Sequence, residues 1–418
     1  MRYKSIRGTK DILPGEIELW QFIEQTIRSV MADFNYREIR TPIFEETGLF
    51  ARSIGELTDI VSKEMYSFLD RSQDSLTLRP EGTAAVLRAY LQNNLGEQLP
   101  LTKVYYIGPM FRQERPQAGR LRQFHQFGAE GLGSSSPMLD AEMMIIPLTV
   151  YRKLGLKNFS LKINSVGCEQ CRPPYKEMLI AELQKIQHRL TPESQERILN
   201  NPLRVLDSKD EGDQEFTRTV PLMYDHLCQN CRTHFEELQT LFHQGSIPFT
   251  VDGRLVRGLD YYTKTAFEIT STDLGSQDAL AGGGRYDLLM EELGGKPTPG
   301  VGFAAGMERL VMVLQKACLT TVGGTTPDLY IAAADDKTRQ WAFVKTCELR
   351  PKGFSIEIDY LSRSLKAQMR EANRQQVHYV VVVGETELQS GMAKLKNMST
   401  GEEIPIALNS IDTVLSKR

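Results

Sequence analysis

The sequence predicts an α+β protein that ends in a separate α/β domain, because the pattern of its apolar residues changes along the chain. Apolar residues at three- and four-residue spacing predict an amphipathic helix over 17–34. Residues 171–245 have the pattern of helices rich in Glu, Gln and Lys, with strand-like segments on either side. Beyond the Gly-rich segment 320–327, which we interpret as a linker, strands and helices alternate as in a compact α/β domain with a parallel or mixed sheet.

The other elements follow from local signals in chain order. Arg37–Phe44 is predicted as a strand that Pro42 confines to a sheet edge or an interface, because proline cannot donate to a strand ladder. Residues 81–95 are predicted as a helix, and another helix is expected from Met307. The further strands predicted in the N-terminal part are 75–78, 103–107, 123–132, 255–269 and 300–305. In the C-terminal part the predicted strands are 328–333, 355–358 and 377–383, with a helix over 362–374.

Length and composition restrict the class of protein. The chain has 418 residues, enough for two or three domains at roughly 150 residues each. Hydrophobic residues make up 41% and charged residues 25%, which excludes a wholly disordered, collagen-like or disulfide-dense chain. Lys and Arg number 50 against 53 Asp and Glu, so any site for a polyanion must be a local patch.

The sequence predicts neither a membrane-spanning segment nor a secretion signal. No run approaches the roughly 20 apolar residues that span a bilayer, and the N-terminus lacks the apolar core of a signal peptide. Six cysteines without a secretion signal favour a reducing compartment. We therefore expect a cytoplasmic enzyme or binding protein with no membrane attachment.

Two glycine-containing segments approach nucleotide-binding motifs but miss them. Residues 258–265 (GLDYYTKT) follow the P-loop pattern except at its second glycine, where Thr263 stands, and the loop interior is bulky. Residues 300–306 miss the dinucleotide fingerprint by one position, and no βαβ unit is predicted around them. Neither segment supports a P-loop or a Rossmann protein.

The strongest local signal is the basic segment 111–127 (FRQERPQAGRLRQFHQF), which is predicted to form a loop between two paired strands. Its acidic residue, Glu114, is outnumbered by the arginines Arg112, Arg115, Arg120 and Arg122. Arginine binds phosphate through a planar, bidentate fork, and Phe124 offers a face on which a purine could stack. We interpret the segment as a nucleotide-binding loop, with a solvated charged hairpin as the alternative.

A second group of residues is acidic and polar. The segment 81–83 (EGT) stands where a predicted strand leads into a helix. Gln126 and Glu130 are four residues apart, so on a strand their side chains point to the same face. Two tyrosines at 261–262 follow Arg257 and a glycine. Carboxylates near tyrosines can bind an ammonium group and a neutral ring, although each of these residues taken singly is more often a structural polar group.

Four of the cysteines form two C-x-x-C pairs, Cys168 with Cys171 and Cys228 with Cys231, that bracket the helical segment. Two such pairs supply a complete tetrahedral ligand set for a structural zinc ion. The interval between the pairs exceeds the usual spacing of a zinc ribbon, so reduced thiols and a disulfide remain as alternatives. The other two cysteines stand alone in the sequence.

Taken together, the motifs resemble those of the histidyl-tRNA synthetase family among the class II aminoacyl-tRNA synthetases. FRQER and GMERL are similar to motifs 2 and 3 of that class, and Pro42 stands where motif 1 has its proline. The pattern of the family itself is matched by RGTKDILPGE, LRPEGTA, RQERPQAGRLRQFHQFGAE, LVRGLDYYT and AGGGRYDLL. The resemblance covers essentially the whole chain, in order.

The resemblance implies an organisation into three parts and a homodimer formed partly through motif 1. The class II catalytic core, an antiparallel sheet with helices, would comprise 1–168 and 251–322. Residues 169–250 would be a helical insertion that contacts the acceptor arm of tRNA-His. Residues 327–418 would be an α/β anticodon-binding domain.

The resemblance also implies a reaction in which L-histidine is activated by ATP and transferred to tRNA-His. Arg112 and Arg257 would be the catalytic residues at the α-phosphate. The residues implied for ATP, with Mg²⁺ on its phosphates, are Arg112, Glu114, Phe124 and Arg309. Those implied for histidine are Glu81, Gly82, Thr83, Gln126, Glu130, Tyr261, Tyr262, Gly283 and Gly284. Those implied for tRNA are Arg115, Gln117 and Arg120.

Two other functions are weighed against this one. The regulatory subunit of ATP phosphoribosyltransferase resembles the same family but lacks the anticodon domain and does not charge tRNA. A catalytically inactive tRNA-binding protein would need a broken active-site motif, and none is visible. The basic residues Arg363, Lys366, Arg370 and Arg374 could contact the anticodon or form a solvated helix face.

Overall fold

The computed structural model of the chain describes residues 3–55, 58, 60–116, 119–259, 261–274, 278–319 and 326–416. The chain divides into two units, Met1–Thr321 and Val322–Arg418. Most of the predicted linker 320–327 lies outside the described residues. None of the described helices is long and apolar enough to cross a lipid bilayer.

The larger unit is built around an eight-stranded sheet. In spatial order its strands are Arg37–Glu38, Thr102–Phe111, Gln123–Leu132, Gly300–Gly306, Ala279–Arg285, Thr263–Thr270, Ser160–Ser165 and Thr250–Val251. The inner strands pair antiparallel with one another, and the two short outer strands pair parallel with their neighbours. The expected antiparallel sheet is therefore confirmed.

Helices of the larger unit cover this sheet, and their apolar sides form its core. They are Ile17–Asp33, Thr47–Ile54, Thr83–Gln92, Leu95–Gln98, Pro137–Lys153, Leu289–Glu292 and Met307–Lys316. Pro137–Lys153 begins where Ser136 caps the helix, accepting a hydrogen bond from the Met138 nitrogen at 3.3 Å. A separate antiparallel sheet contains Phe44–Glu46, Ser75–Leu78 and Tyr66–Leu69.

The segment between the strands Ser160–Ser165 and Thr250–Val251 is helical, as predicted. Its helices are Arg172–Ile186, Pro192–Asn200, Leu203–Leu206, Glu211–Phe216 and Gln229–Gln244. They share a hydrophobic core that includes Leu179, Leu183 and Val205. The buried carboxylate of Asp213 accepts hydrogen bonds from the side chains of Thr191, Ser194 and Ser208, which ties three turns of the segment together.

The smaller unit has the alternating α/β order that the sequence predicts. In spatial order its sheet contains Ile356–Ile358, Leu329–Ala333, Tyr379–Val383, Met392–Asn397 and Glu403–Ala407, and its helices are Asp336–Leu349, Leu365–Arg374, Glu385–Ser390 and Ile411–Leu415. The first three strands are parallel and the last two antiparallel, so the sheet is mixed. Arg363 and Arg374 both pair with Glu371, so part of this basic stretch is already neutralised.

Two predicted strands were wrong in extent. Arg37–Phe44 is not one strand, because only Arg37–Glu38 and Phe44–Glu46 are strands and they pair in different sheets. The guanidinium of Arg79 donates to the Thr41 carbonyl at 3.1 Å, which takes up a group that a continuous strand would use. Of the predicted strand 255–269, only the part from Thr263 onward is a strand.

Candidate functional site

An open cleft of the larger unit brings together residues that are far apart in the sequence. The predicted site residues that line it are Glu81, Thr83, Arg112, Glu114, Arg120, Phe124, Gln126, Arg257, Tyr261, Tyr262 and Arg309. They come from the hairpin of Thr102–Phe111 and Gln123–Leu132, from the start of Thr83–Gln92, from the irregular segment before Thr263–Thr270, and from Met307–Lys316. Segment 258–265 leads into a strand and not into a helix, which agrees with the rejection of a P-loop.

Three arginines of the cleft are each held by a hydrogen bond to the protein. Nε of Arg112 donates to the Pro80 carbonyl at 2.9 Å. Nη1 of Arg309 donates to the Ala279 carbonyl at 2.8 Å. Nη1 of Arg257 donates to Oε2 of Glu268 at 2.8 Å, and its Nε is buried without a hydrogen-bond partner among the described residues. These bonds fix each guanidinium while using part of its donor capacity.

The charges in this part of the cleft are predominantly positive. Burial lowers the pKa of Arg309, and the charges of the neighbouring Arg120 and Arg112 lower it further, against an opposing effect of Glu114 and Glu268. Glu114 lies 3.3 Å from Nη1 of Arg120 and 3.9 Å from Nη1 of Arg112. A polyanionic ligand would relieve the repulsion among the arginines, because it would supply the missing negative charge.

An aromatic ring borders the arginines. Phe124 is half-buried and lines the cleft, and the Arg112 guanidinium lies over its ring at 5.3 Å from the centroid. The loop of this hairpin is held by the N-terminal segment, since Arg122 donates its backbone N–H to the Gly8 carbonyl at 2.7 Å. The flat apolar face beside a cation is suited to a stacked base.

The other end of the cleft is a buried pocket of carboxyl and hydroxyl groups. Glu81 accepts hydrogen bonds from the backbone nitrogens of Thr83 at 2.7 Å and Ala84 at 2.8 Å, so it also caps the following helix. Oγ1 of Thr83 donates to Oε1 of Glu130 at 2.7 Å. Burial raises the pKa of Glu130 to about 8, although its hydrogen bonds with Tyr286 and Thr83 oppose the shift.

Tyrosine rings and one amide complete this pocket. The rings of Tyr261 and Tyr262 are 4.6 Å apart between centroids, and Tyr261 meets Tyr286 edge-on at 5.7 Å. Oε1 of Gln126 is buried without a hydrogen-bond partner among the described residues. Such an acceptor costs free energy unless a ligand donates to it.

The glycines named from the sequence contribute through close packing. A Cβ atom on Gly82 would lie 2.3 Å from the ring of Tyr106, and one on Gly283 would lie 2.1 Å from the Gly302 carbonyl oxygen. A Cβ on Gly284 would lie 2.8 Å from Cδ1 of Tyr262. These three glycines are absent from the lining of the cleft within the described part of the chain, and Gly282 lines it instead.

Sequence reasoning missed Tyr286 and Glu268. Tyr286 lines the cleft directly after the strand Ala279–Arg285. Glu268 pairs directly opposite Gly282 on the neighbouring strand and therefore reaches Arg257. No local pattern in the sequence predicts this pairing of the two strands.

The residues expected to meet tRNA lie in or near the loop of the hairpin. Arg115 is exposed outside the cleft lining, and Arg120 is exposed at the cleft. Gln117 lies outside the described residues. The four cysteines of the two C-x-x-C pairs come together elsewhere in the larger unit, whereas Cys318 and Cys347 are exposed and do not belong to this group.

Comparison with protein families agrees with these motifs over both units. The family model described as Histidyl-tRNA synthetase matches residues 8–310. The model described as Anticodon binding domain matches residues 329–418.

Individual relatives match over the full length. The chain is 48% identical over 417 residues to a histidine–tRNA ligase of Halothermothrix orenii, covering 100% of both chains. It is 50% identical over 416 residues to one of Chloroherpeton thalassium, covering 99% of this chain and 97% of the relative. The crystal structure of apo S. aureus histidyl-tRNA synthetase superposes with a TM-score of 0.83 at 37% identity, covering 99% of both chains. This chain belongs to the histidyl-tRNA synthetase family of the class II aminoacyl-tRNA synthetases.

Proposed function

We propose that this chain is a histidine–tRNA ligase that forms histidyl-adenylate from L-histidine and ATP and transfers histidine to the 3' end of tRNA-His. The observation that carries the proposal is a single cleft with three fixed arginines at one end and a buried carboxyl–tyrosine pocket at the other. In the first step a histidine carboxylate oxygen attacks the α-phosphorus and the bond to pyrophosphate breaks. In the second step a ribose hydroxyl of the terminal adenosine attacks the carbonyl carbon, and AMP leaves.

The arginines would stabilise the charge that moves during adenylation. Arg112 would bind the α-phosphate and the histidine carboxylate, with Arg257 beside the α-phosphate as a second fixed cation. Arg309 would bind the γ-phosphate. Such groups accelerate phosphoryl chemistry by positioning and by neutralising charge, and they need not move during the reaction.

The base and the metal would be bound around these arginines. Phe124 would stack on adenine, and Glu114 would accept from its amino group. Mg²⁺ is bound in such sites by one or two carboxylates together with substrate phosphates. Asp278 borders a cavity beside Arg309, and its carboxylate would hold an ion on the outer phosphates. The ion would neutralise the phosphate charge and the leaving pyrophosphate.

Histidine would occupy the buried pocket. Glu81, Thr83 and Gln126 would bind the ammonium group, and the unpartnered Oε1 of Gln126 supports this role. Glu130 and Tyr262 would contact the two imidazole nitrogens, with Tyr261 packed beside them. A neutral imidazole has one donor and one acceptor nitrogen. A competing amino acid whose side chain lacks either group would leave buried protein groups unpaired, which would cost about 1–3 kcal/mol of binding free energy for each group.

The rest of the chain would serve tRNA and assembly. We assign the catalytic core to 1–168 and 251–322, acceptor-arm contacts to 169–250 and anticodon binding to 327–418. Arg115, Gln117 and Arg120 would meet the first base pair of tRNA-His. A homodimer through motif 1 is supported by Ile43 and Phe44, which are 45% and 51% exposed beside Pro42. We propose that the enzyme acts in the cytoplasm, where charged tRNA is consumed.

The test is ATP–pyrophosphate exchange with each standard amino acid, without tRNA. Exchange with histidine alone, followed by charging of tRNA-His, supports the proposal. If the folded protein catalyses ATP–pyrophosphate exchange with no amino acid, the result would favour a regulatory subunit or an inactive tRNA-binding protein. Neither alternative is favoured, because the full-length relatives are ligases and Arg112, Arg257 and Arg309 share one cleft.

A further inference from the structure

The two C-x-x-C pairs, which the proposed reaction does not use, meet where the helical segment begins and ends. The four Sγ atoms all lie within 4.8 Å of one another. Cys168 is 3.8 Å from Cys171 and 3.7 Å from Cys228, and Cys171 is 3.8 Å from Cys231, measured between sulfur atoms. Pairs that are distant in the sequence therefore converge on one point.

These distances fit a tetrahedral metal site. Four sulfur atoms placed about 2.3 Å from a central zinc ion lie roughly 3.8 Å from one another. A disulfide requires a sulfur–sulfur distance of about 2.05 Å, much shorter than any of the three contacts. The cysteines are free, and their spacing matches the edges of a zinc–thiolate tetrahedron.

Both pairs lie at the start of a helix. Cys171 immediately precedes the helix Arg172–Ile186, and Cys228 immediately precedes Gln229–Gln244. In each pair the residue after the second cysteine donates its backbone N–H to the carbonyl oxygen of the first cysteine: Arg172 to Cys168 and Arg232 to Cys228, both at 2.9 Å. Helix N-termini stabilise negative charge, so both pairs are placed to hold thiolates.

The surroundings bury half of the site. Cys171 and Cys231 are buried, and Cys168 and Cys228 pack against the hydrophobic core of the helical segment. Gly167 has a φ of +69°, and a Cβ atom there would lie 3.0 Å from Sγ of Cys171 and 2.4 Å from Cε of Met223. Four protein sulfurs with no open position are the ligand set of a structural zinc site and not of a catalytic one.

We propose that Cys168, Cys171, Cys228 and Cys231 bind one structural Zn²⁺ ion that holds together the two ends of the helical segment. Thiolates are soft ligands, and a tetrahedral set of four selects zinc among the common divalent ions. Binding would release thiol protons to solvent, because the ligands are thiolates.

The site is connected to the histidine pocket through Arg172. Its Nε donates to the Val166 carbonyl at 2.9 Å, and its Nη2 donates to the carbonyls of Gly167, at 3.0 Å, and of Tyr262. Loss of the ion would therefore loosen the backbone that carries Tyr262, in addition to the helical segment itself.

The test is metal analysis of the full-length protein purified without chelators. We expect about one zinc ion per chain, and a loss of most of it in Cys171→Ser and Cys231→Ser. Cys347→Ser and Cys318→Ser are matched controls that should keep the metal, because these cysteines are exposed and stand outside the cluster. The native protein exchanged with Co²⁺ should show the absorption of a tetrahedral cobalt–thiolate complex, which does not depend on the folding of any variant.

Three results would overturn the proposal. Less than about half a zinc ion per chain, with four thiols that react rapidly, would mean reduced cysteines. Mass spectrometry that finds these cysteines linked would mean disulfides. Zinc retained equally by the cluster variants and the controls would place the metal elsewhere.

Discussion

The hydroxyl of Tyr286 donates a hydrogen bond to Oε2 of Glu130, at the buried end of the cleft. Thr83 donates to the other carboxyl oxygen at 2.7 Å, so both oxygens are bound. Burial nevertheless raises the pKa of Glu130 to about 8, which favours the neutral form of the carboxyl. A neutral carboxyl can both donate and accept, which suits a neutral imidazole.

This shifted pKa predicts a pH dependence of stability. Because the native pKa of Glu130 exceeds its unfolded value of about 4.3, the stability that its bound proton contributes is complete below about 4.3. It is lost as the pH rises to about 8. Glu130→Gln cannot ionise, so its free energy of unfolding relative to the wild type should increase over this interval, as measured by urea unfolding. Glu237→Gln, at an exposed position, should show no such trend; parallel curves for wild type and Glu130→Gln would contradict the assignment.

Arg257 should act mainly on the rate of adenylation. Arg257→Ala should lower kcat of ATP–pyrophosphate exchange by roughly 10²–10³, as removal of one fixed donor to a developing charge does. Glu268→Gln should have a smaller effect in the same direction, because it weakens the 2.8 Å contact that orients Arg257. The control is Arg152→Ala, an exposed arginine on Pro137–Lys153, which should leave exchange intact. An unchanged kcat in Arg257→Ala would exclude the assigned role.

Phe124 should act mainly on ATP binding. Stacking of a base on an aromatic ring contributes about 1–3 kcal/mol, so Phe124→Ala should raise KM for ATP roughly five- to hundredfold. Phe124→Tyr keeps the ring and should stay close to the wild type. Steady-state exchange at varied ATP measures both variants. If KM for histidine rises instead, the ring borders the wrong substrate.

A buried ionic network should control acid stability. Asp140 pairs with the fully buried Arg285, and its Oδ2 lies 2.7 Å from Nε2 of His234 on the helix Gln229–Gln244. Burial opposes ionisation, but the hydrogen bond with His234 and the charge of Arg285 lower the pKa of Asp140 below its usual value. Its contribution to stability is therefore present above about pH 3.9, the unfolded pKa, and is lost as the pH falls through the lower native value.

Asp140→Asn should cost about 3–5 kcal/mol of unfolding free energy, because it leaves the charge of Arg285 buried without its main partner. Chemical denaturation at neutral pH measures this loss. Asp33→Asn, which breaks an exposed ion pair with Lys153, should cost about 0–1 kcal/mol. Equal losses in the two variants would mean that the buried network is not stabilising.

Local patterns along the chain predicted most elements of the fold. Periodic apolar residues placed the helix Ile17–Asp33 close to its observed ends, because the helix period is a property of neighbouring residues. The errors at 37–44 and 255–269 lie where a distant side chain or strand takes over the backbone groups. Arg79 does this at Thr41, and Nδ2 of Asn164 donates to the Leu255 carbonyl at 2.9 Å.

The residue types in the motifs predicted the chemistry of the cleft, since arginines, an aromatic residue and carboxyl groups restrict the ligand by charge and hydrogen bonding. The contacts among these residues could not be predicted from the sequence. Glu268 meets Arg257 because of the register between two strands, Tyr286 meets Glu130 across the sheet, and Cys171 meets Cys231 through the packing of two helices. Such contacts form only after the chain has folded, because no local period relates residues that are 11, 60 or 156 positions apart.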